Sequence, residues 1–419
     1  MRERQKDGEA VRKRTERPPE RKPTAEHSRR REGHRPRSER CPYAKKCGGC
    51  QLQNLEYPDQ LRFKQALVRR LLGRFGKVSP ILGMETPEHY RCKVQAAFGV
   101  VRGRFVCGIY QSSTHHIVPV ERCMIEDETA SAIIADIRAL LPKFHMVPYN
   151  EDTGRGLLRH VLVRRGYATG QVLVALVCAS NVLPAKNNFL KALLKLHPEV
   201  TTVVLNVNRR HTSMVLGDEE HVLYGPGTIE DKLCGMTFRI SASSFYQVNP
   251  AQTERLYRTA IAFAQLRGTE TVLDAYCGVG TIGLAASASL PEGKVVGVEL
   301  NPAAARDAAE NARRNGVTNA RFLAGDAGEF LTSAAEAGER VDVVLMDPPR
   351  AGSSREFLEA VCRMQPERVV YISCNPETQA RDVAFLVKNG YRVEKIQPVD
   401  MFPWTRHVET IVLLQRETL

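Results

Sequence analysis

Long apolar runs are missing from this 419-residue sequence. The longest, residues 172–179, has the length of a β-strand, whereas a membrane-spanning helix needs about 20 consecutive apolar residues. Aromatic residues are also few, at 6% with a single tryptophan, yet 43% of the residues are hydrophobic and 26% are charged. That balance excludes a wholly disordered, fibrous or membrane protein and indicates a soluble globular chain with a large core.

The N-terminus lacks the apolar segment of a secretion signal, and its acidic residues argue against a transit peptide, so we expect a cytoplasmic protein. Residues 1–40 hold 15 Lys and Arg and 8 Asp and Glu, and they contain no Phe, Tyr or Trp. Such a stretch cannot bury enough surface to fold, which predicts a disordered basic arm. Two interpretations stay open: attraction to nucleic-acid phosphates through counterion release, or a solubilising tail without a partner.

Disulfides are not expected among the 11 cysteines of a cytoplasmic protein, so clustered cysteines indicate a metal site. Cys41, Cys47 and Cys50 form one cluster, which needs a fourth ligand. The candidates for that ligand are Cys92, Cys107 and Cys123. Thiolates at this spacing hold either zinc or an iron–sulfur cluster.

The rest of the chain shows two patterns. Pro58 opens an amphipathic helix with apolar side chains such as Phe63 inward and basic ones such as Lys64 outward. Residues 90–240 are rich in strands (94–101, 160–164, 171–178 and 203–207) with helical stretches at 131–141 and 185–196. From about residue 250, helices such as 302–315 alternate with short apolar strands, at 271–275, 294–299, 320–324, 341–346 and 368–373.

That alternation predicts βαβ units and a parallel, doubly wound sheet. The predicted fold is therefore α/β, with a Rossmann-like domain at 241–419 and a mixed α+β domain at 41–240 before it, preceded by the arm at 1–40.

A glycine loop follows the first of those α/β strands, with Gly278, Gly280 and Gly283 in a G-x-G-x-x-G pattern that nicotinamide and flavin enzymes share. Three carboxylates distinguish it. Asp274 beside the loop would repel a pyrophosphate but attract a cationic amino acid, and Glu299 at the second strand end can bind both ribose hydroxyls. Asp326, after the third strand, is placed to meet an adenine amino group. A ligand with these parts and no phosphate is S-adenosylmethionine (SAM); a phosphate-binding dehydrogenase loop is the alternative.

Reactive side chains follow the later strands, whose carboxyl ends meet at the edge where doubly wound sheets bind their ligands. Asp347 follows the fourth strand and is expected beside both cofactor and substrate. Cys374 follows the fifth, as a nucleophile or as a small buried side chain. Glu409 opens the last strand, as a general base or as a solvated strand end.

The combined motifs resemble the RNA uracil-5-methyltransferase family over residues 41–419. They lie in family order at residues 244–250, 274–280, 347–350, 373–376 and 407–409. The cluster of Cys41, Cys47 and Cys50 resembles the iron–sulfur branch of that family, whose bacterial members act on 23S ribosomal RNA. Transfer RNA is the alternative substrate, since the branch of the family that acts on transfer RNA shares the same catalytic residues.

The resemblance implies that Cys374 adds to carbon 6 of uracil, that carbon 5 takes the methyl group of SAM, and that Glu409 then removes the carbon 5 proton. It implies SAM contacts from Gln247, Tyr276, Glu299 and Asp347, and a [4Fe-4S] cluster on Cys41, Cys47, Cys50 and Cys123 within an RNA-binding region, with zinc as the alternative on spacing alone. The target base must leave its stack, which makes Phe402, Trp404 or His407 candidate pocket walls. We expect a monomer.

Three other functions compete. An amine methyltransferase would also use an Asp-Pro-Pro motif but would leave Cys374 and Glu409 without roles. An RNA cytosine-5-methyltransferase would usually place a cysteine within residues 347–350, where none occurs. A metal-bound RNA-binding module with an inactive cofactor domain conflicts with the intact catalytic set.

Overall fold

The computed structural model describes residues 41–210 and 214–417. The predicted disordered arm, residues 1–40, lies outside the described residues. The helices are α1 (Ala44–Cys47), α2 (Tyr57–Leu72), α3 (Glu128–Leu140), α4 (Lys186–Leu196), α5 (Pro250–Ala264), α6 (Thr281–Ser287), α7 (Pro302–Arg314), α8 (Ala327–Glu336), α9 (Arg355–Met364) and α10 (Pro376–Lys388). None of these helices, in the part of the chain that is described, is long and apolar enough to cross a membrane.

The strands form two seven-stranded sheets and one hairpin. They are β1 (Lys93–Val101), β2 (Arg104–Tyr110), β3 (Ile117–Pro119), β4 (Leu158–Arg165), β5 (Val172–Cys178), β6 (Val200–Val207), β7 (Glu219–Tyr224), β8 (Ile229–Leu233), β9 (Met236–Ile240), β10 (Thr271–Ala275), β11 (Lys294–Glu299), β12 (Ala320–Ala324), β13 (Val343–Met346), β14 (Arg368–Ser373), β15 (Tyr391–Val399) and β16 (Glu409–Arg416).

The first sheet has the order β3-β2-β1-β4-β5-β6-β7 and is antiparallel except where β5 pairs with β6. One face packs against α3 and α4, with Val94 of β1 and Phe189 of α4 in a single buried cluster. The other face contributes Leu162 of β4 to a cluster that also holds Val370 of the second sheet. The two sheets therefore share part of their core. The division into separate domains at residue 240 stays a prediction.

The second sheet has the order β12-β11-β10-β13-β14-β16-β15. Its first five strands are parallel, β16 runs antiparallel to β14, and β15 pairs antiparallel with β16. The predicted Rossmann-like α/β fold is confirmed. The strand order reverses between β10 and β13, and a ligand crevice is expected at the carboxyl ends of strands at such a switch point. Four predicted strands match their observed bounds, and β13 begins two residues later than predicted.

The predicted orientation of α2 is wrong at two positions. Lys64, predicted to face solvent, is fully buried, and its Nζ lies 2.5 Å from Oδ1 of Asp400. Phe63, predicted to face the core, is 41% exposed. A lysine enters a core only where a partner satisfies its charge, and the sequence pattern of one helix does not reveal a carboxylate supplied from a distant segment.

Candidate active site

The glycine loop joins β10 to α6 through residues with left-handed backbones. The φ angles are +64° at Tyr276, +55° at Gly278 and +81° at Gly280. A Cβ atom at position 280 would lie only 2.9 Å from the ring of Phe322, so both the backbone angle and the space require glycine there. The loop is thus held in one conformation at the switch point.

The three carboxylates near the loop accept hydrogen bonds from backbone amides. Asp274, only 1% exposed, accepts from Gly283 N at 2.8 Å, which fixes the start of α6 against β10. Glu299 accepts from Gly278 N at 3.0 Å and from Asn301 N at 2.8 Å. Both Glu299 and the exposed Asp326 remain reachable for a ligand, whereas Asp274 acts through its charge and its hold on the loop.

Asp326 caps α8. Its Oδ1 accepts hydrogen bonds from Gly328 N at 2.8 Å and Glu329 N at 3.0 Å. The cap fixes this carboxylate at the end of β12, next to the loop that follows β11.

Tyr276 directly follows β10, at the start of the glycine loop. Its ring lies 5.3 Å from that of Phe357, and its hydroxyl is 3.4 Å from Oγ of Ser353. These contacts orient the aromatic ring against α9, beside the loop.

Three acidic side chains near the loop are close enough to the buried Tyr257 for their charges to act on its hydroxyl group. Burial, together with the charges of Asp347 and Glu299, raises the pKa of Asp274 to about 7. Burial likewise raises the pKa of Asp347, and burial together with the charge of Asp347 raises that of Glu409 well above its usual range. The charges of Asp274, Asp347 and Glu409 also add to the burial that raises the pKa of Tyr257. Buried carboxylates in such a group are stabilised by a cationic ligand, which fits the sulfonium and ammonium groups of SAM.

Cys374 and Glu409 lie at the same end of two paired strands. Ser373, the last residue of β14, is opposite Thr410 in β16, so the next pair in the antiparallel register is Cys374 with Glu409. Cys374 is half-buried, and burial and the charges of Glu409 and Asp347 raise its pKa to about 11. The thiol is therefore protonated in this environment at neutral pH.

Arg350 is the cation beside this pair, and sequence reasoning gave it no role. Its carbonyl oxygen accepts hydrogen bonds from Asn375 Nδ2 at 3.0 Å and Thr378 Oγ1 at 3.2 Å, which ties the loop after β13 to the turn after β14. Its guanidinium opposes the rise in the pKa of both Cys374 and Glu409. The sequence signal for this role was a cation directly after Asp-Pro-Pro, at the sheet edge where the reactive side chains lie.

The loop between β15 and β16 carries the aromatic residues proposed as pocket walls. The rings of Phe402 and His407 lie 6.2 Å apart, edge to face, and both side chains are half-buried. Trp404 is only 3% exposed, and its Nε1 donates to the carbonyl oxygen of Pro87 at 2.7 Å. Trp404 therefore packs within the protein, whereas the side chains of Phe402 and His407 remain partly exposed.

Gln247 lies on the segment just before α5. Its carbonyl oxygen is 3.7 Å from Sγ of Cys92, and Cys92 N donates to the carbonyl oxygen of Val248 at 2.9 Å. Asn249 caps α5, and its Nδ2 donates to the carbonyl oxygen of Met401 at 2.9 Å. The segment that carries Gln247 is thus held between β1 and the loop that leads to Glu409.

The cysteine cluster and Cys123 belong to segments in contact. Glu121 N donates to the hydroxyl of Tyr43 at 3.2 Å, and Gln53 Nε2 lies 3.1 Å from Sδ of Met124. Burial raises the pKa of Cys50 to about 11 and that of Cys123 to about 12. Over residues 41–210 and 214–417, no three His, Cys, Asp or Glu side chains are arranged to hold a metal ion directly.

The other two candidates for a fourth ligand are buried, although Cys107 lies near the segment before Cys123, with Val120 N donating to its carbonyl oxygen at 3.2 Å. Cys107 belongs to the core cluster of the first sheet, and Cys92 is buried beside Gln247. Cys123 is thus the best placed of the three. The donor set, four soft thiols on adjoining segments, suits an iron–sulfur cluster, which stays a prediction.

Comparison with known proteins decides the family. The family model for tRNA (uracil-5-)-methyltransferases matches residues 56–417. The chain belongs to this family. An uncharacterized RNA methyltransferase of Halalkalibacterium halodurans is 43% identical over 380 residues, which cover 90% of this chain and 82% of that protein. A second, from Clostridium acetobutylicum, is 41% identical over 383 residues, covering 90% and 83%.

A solved uracil-5-methyltransferase has the same fold. The tRNA (uracil-54, C5)-methyltransferase of Pyrococcus abyssi, in complex with S-adenosyl-L-homocysteine, aligns with a TM-score of 0.73 and 28% identity. The alignment covers 87% of this chain and 85% of that one. The predicted activity is thereby confirmed at the level of the family: the protein is a SAM-dependent RNA (uracil-C5)-methyltransferase. The dehydrogenase, amine, cytosine and binding-module alternatives are set aside.

Proposed function

We propose that this uracil-5-methyltransferase acts on a uridine of 23S ribosomal RNA, with Cys374 as covalent nucleophile and Glu409 as base. One observation carries the mechanism: the register of β14 and β16 brings the thiol and the carboxylate to the same strand end. Asp347 and the glycine loop end at that same edge of the sheet. The choice of 23S ribosomal RNA rests on the cysteine cluster, which resembles that of the ribosomal branch.

Carbon 5 of uracil is a weak nucleophile and must first be activated. The Cys374 thiol first loses its proton to solvent. The thiolate sulfur then forms a bond to carbon 6, and the electrons of the carbon 5–carbon 6 double bond move onto carbon 5 and oxygen 4 as an enolate. When bound, SAM would supply an electrophilic methyl group to carbon 5, and the methyl–sulfur bond would break to leave S-adenosyl-L-homocysteine. Carbon 5 then carries both a methyl group and a proton. Glu409 accepts that proton, the double bond re-forms, and the carbon–sulfur bond breaks to release the Cys374 thiolate.

The surroundings of Glu409 favour its step as a base, whereas those of Cys374 disfavour its step as a nucleophile. Burial raises the pKa of Glu409, so its carboxylate, once ionised, is a strong base for the carbon 5 proton. The same burial disfavours the Cys374 thiolate, and Arg350 is the neighbouring group that favours it. We therefore assign Arg350 a positioning role, in which its guanidinium stabilises the thiolate.

SAM is proposed to lie in the crevice at the switch point. The residues that would hold it are Gln247, Asp274, Tyr276, Gly278, Gly280, Glu299, Asp326 and Asp347. The support is electrostatic and topological: buried carboxyl groups with raised pKa values stand at the strand ends where a doubly wound fold binds its ligand. Asp274 would act through its negative charge and by fixing the loop, and not by direct contact with SAM.

Nucleoside mass spectrometry tests the target. The protein is incubated with SAM and with unmodified 23S ribosomal RNA or unmodified transfer RNA in parallel, and 5-methyluridine is measured. We expect it in the ribosomal RNA and, after nuclease mapping, at a defined uridine. Product in transfer RNA alone would overturn the proposed target and leave the chemistry intact.

RNA containing 5-fluorouridine tests the covalent steps, because fluorine at carbon 5 cannot leave as a proton. The wild-type protein should form a denaturation-resistant adduct that also carries the methyl group. Cys374→Ser should form none while still binding S-adenosyl-L-homocysteine. Glu409→Gln should accumulate a methylated adduct on ordinary uridine RNA, and rapid product release from that variant would contradict the assignment of the base.

We also propose that Cys41, Cys47, Cys50 and Cys123 hold a [4Fe-4S] cluster that folds the segments around them. When bound, such a cluster serves here as a structural cross-link, since no methyl-transfer step needs it. Iron, sulfide and zinc are measured in anaerobically purified protein. Cys123→Ser should lose iron and sulfide, whereas Cys362→Ser, in α9, should keep both. Zinc in place of iron would contradict the proposal.

A further inference from the structure

Two cations stand directly opposite each other in the first sheet. Lys93, the first residue of β1, is the cross-strand partner of Arg164 in β4. Opposite residues of an antiparallel pair point to the same face with their Cβ atoms about 5 Å apart, and like charges there are destabilising. Arg91, two residues earlier in the chain, adds a third positive charge to the same region. An arrangement of like charges that costs stability indicates a binding role for these side chains.

Within the described part of the chain, no carboxylate forms an ion pair with Lys93 or Arg164. Arg164 is 4% exposed and gives its Nη2 hydrogen bonds to two neutral acceptors, the carbonyl oxygens of Ala242 at 3.2 Å and of Ser244. Its buried Nε has no partner among the described residues. Burial, and then the charges of Arg164 and Arg91, lower the pKa of Lys93 to about 8. Lys93 and Arg164 therefore carry two positive charges that no paired carboxylate of the described chain balances, and an anion would balance them.

The cluster lies beside the segment that carries Gln247. The two carbonyl groups held by Arg164 come just before that segment, and Cys92, next to Lys93, is hydrogen-bonded to Val248 at 2.9 Å. Phe245, between them, is 68% exposed and offers an aromatic face to solvent. A cation and an exposed aromatic ring on neighbouring segments are the combination that binds a nucleotide by its phosphate and its base.

We propose that Lys93 binds a backbone phosphate of the RNA beside the uridine that is methylated. Arg164, on the neighbouring strand, adds its positive charge to this site. This rests on the proposed function only in so far as the substrate is RNA, because a phosphate contact is independent of sequence. The carboxylate of SAM is the other anion that could reach this segment. Phe245 favours the RNA, since a ring exposed at the surface serves a base and not an amino acid.

The test compares Lys93→Gln with Lys93→Arg and with Lys191→Gln as the matched control. Lys191 is an exposed residue of α4, which packs on the opposite face of the same sheet. Binding of labelled 23S ribosomal RNA fragments and transfer RNA is measured over a range of salt concentrations. For Lys93→Gln we expect about tenfold weaker binding of both RNAs at 0.1 M salt, and a salt slope shallower by about one ion. The Arg variant should bind like the wild type.

Stability and cofactor binding separate this role from the alternatives. Because Lys93→Gln removes a like-charge pair, its melting temperature should stay the same or rise, and its affinity for S-adenosyl-L-homocysteine should not change. RNA affinity and salt slope equal to those of Lys191→Gln would overturn the proposal. So would a loss confined to S-adenosyl-L-homocysteine binding, or a fall in melting temperature that accounts for the loss of RNA binding. Methylation of transfer RNA alone would refute the 23S target without affecting these results.

Discussion

Lys64 and Asp400 form an ion pair in which neither side chain is exposed to solvent, across 336 residues of sequence. Lys64 Nζ also donates to the carbonyl oxygen of Phe402 at 2.9 Å, and the hydroxyl of Tyr57 donates to Asp400 Oδ2 at 2.8 Å. Helix α2 thereby holds the start of the loop that ends at Glu409. The pair links a helix near the cysteine cluster to the position of the proposed base.

Replacing Lys64 by Met should destabilise the protein strongly. The change leaves the Asp400 carboxylate buried without its cation, which typically costs about 3–5 kcal/mol. Urea unfolding followed by circular dichroism measures the loss, and Lys77→Met, at an exposed position, should change stability by less than about 0.5 kcal/mol. The double variant Lys64→Met, Asp400→Asn should recover part of the loss, and a double variant no more stable than the single one would contradict this account.

SAM binding should weaken as the pH falls through about 7. Burial raises the pKa of Asp274 to about 7, so below that pH the carboxyl group is protonated and must lose its proton before it can stabilise a cationic ligand. Above it the carboxylate is already ionised and the affinity should level off. Isothermal titration calorimetry between pH 5.5 and 8.5 measures the effect.

Two controls accompany that titration. S-adenosyl-L-homocysteine lacks the sulfonium charge, so its affinity should depend less steeply on pH. Asp274→Asn keeps an acceptor for Gly283 N but cannot ionise, and should flatten the dependence for SAM. Identical pH profiles for SAM with the wild-type protein and this variant would refute the role of Asp274.

Alkylation of Cys374 should be slow at neutral pH and slower still without Arg350. Burial raises the pKa of Cys374 to about 11, and the Arg350 guanidinium acts in the opposite direction. Arg350→Gln should therefore raise that pKa further, reduce the thiolate fraction at pH 8 and slow the reaction with iodoacetamide. Peptide mass spectrometry resolves Cys374 from the other cysteines. Arg321→Gln, an exposed change on β12, should leave the rate unaltered.

Removing residues 1–40 should weaken RNA binding and flatten its salt dependence. The arm holds 15 basic and 8 acidic residues, and its excess of positive charge releases counterions when it meets phosphates. Anisotropy titrations over a salt series give the slope. A variant with the arm sequence shuffled at constant composition should bind like the wild type, and full-strength binding by the truncated protein would show that the arm takes no part.

The strands of the second sheet were predictable because each is a short apolar run between polar turns. β10, β11 and β14 are buried and rich in β-branched residues, which distinguishes them from helices of the same length. β15 was missed, since its exposed residues alternate irregularly and Pro398 interrupts it. The sequence pattern predicts neither that β15 lies at the edge of the sheet nor that it contains a bulge.

The candidate site was predictable as far as strand ends define it. Asp347, Cys374 and Glu409 each adjoin a recognisable strand, and parallel strands bring their carboxyl ends to one edge. Tyr257 was missed because its contact with the carboxyl groups depends on how α5 packs against the sheet. The burial of Lys64 was missed for the same reason, since tertiary packing pairs it with a distant carboxylate.

The buried ion pair of Lys64 and Asp400 also restricts which segments of the chain recombination can exchange. The Rossmann-like half carries Asp400 in its interior but takes the neutralising cation from a helix that precedes it by more than 300 residues. Leu52 N, just after the cysteine cluster, likewise donates to the carbonyl oxygen of Trp404 at 2.9 Å. Recombination that replaced α2 without a lysine at this position would leave the Asp400 carboxylate buried without its cation, so α2 and the loop that carries Asp400 must be transferred together.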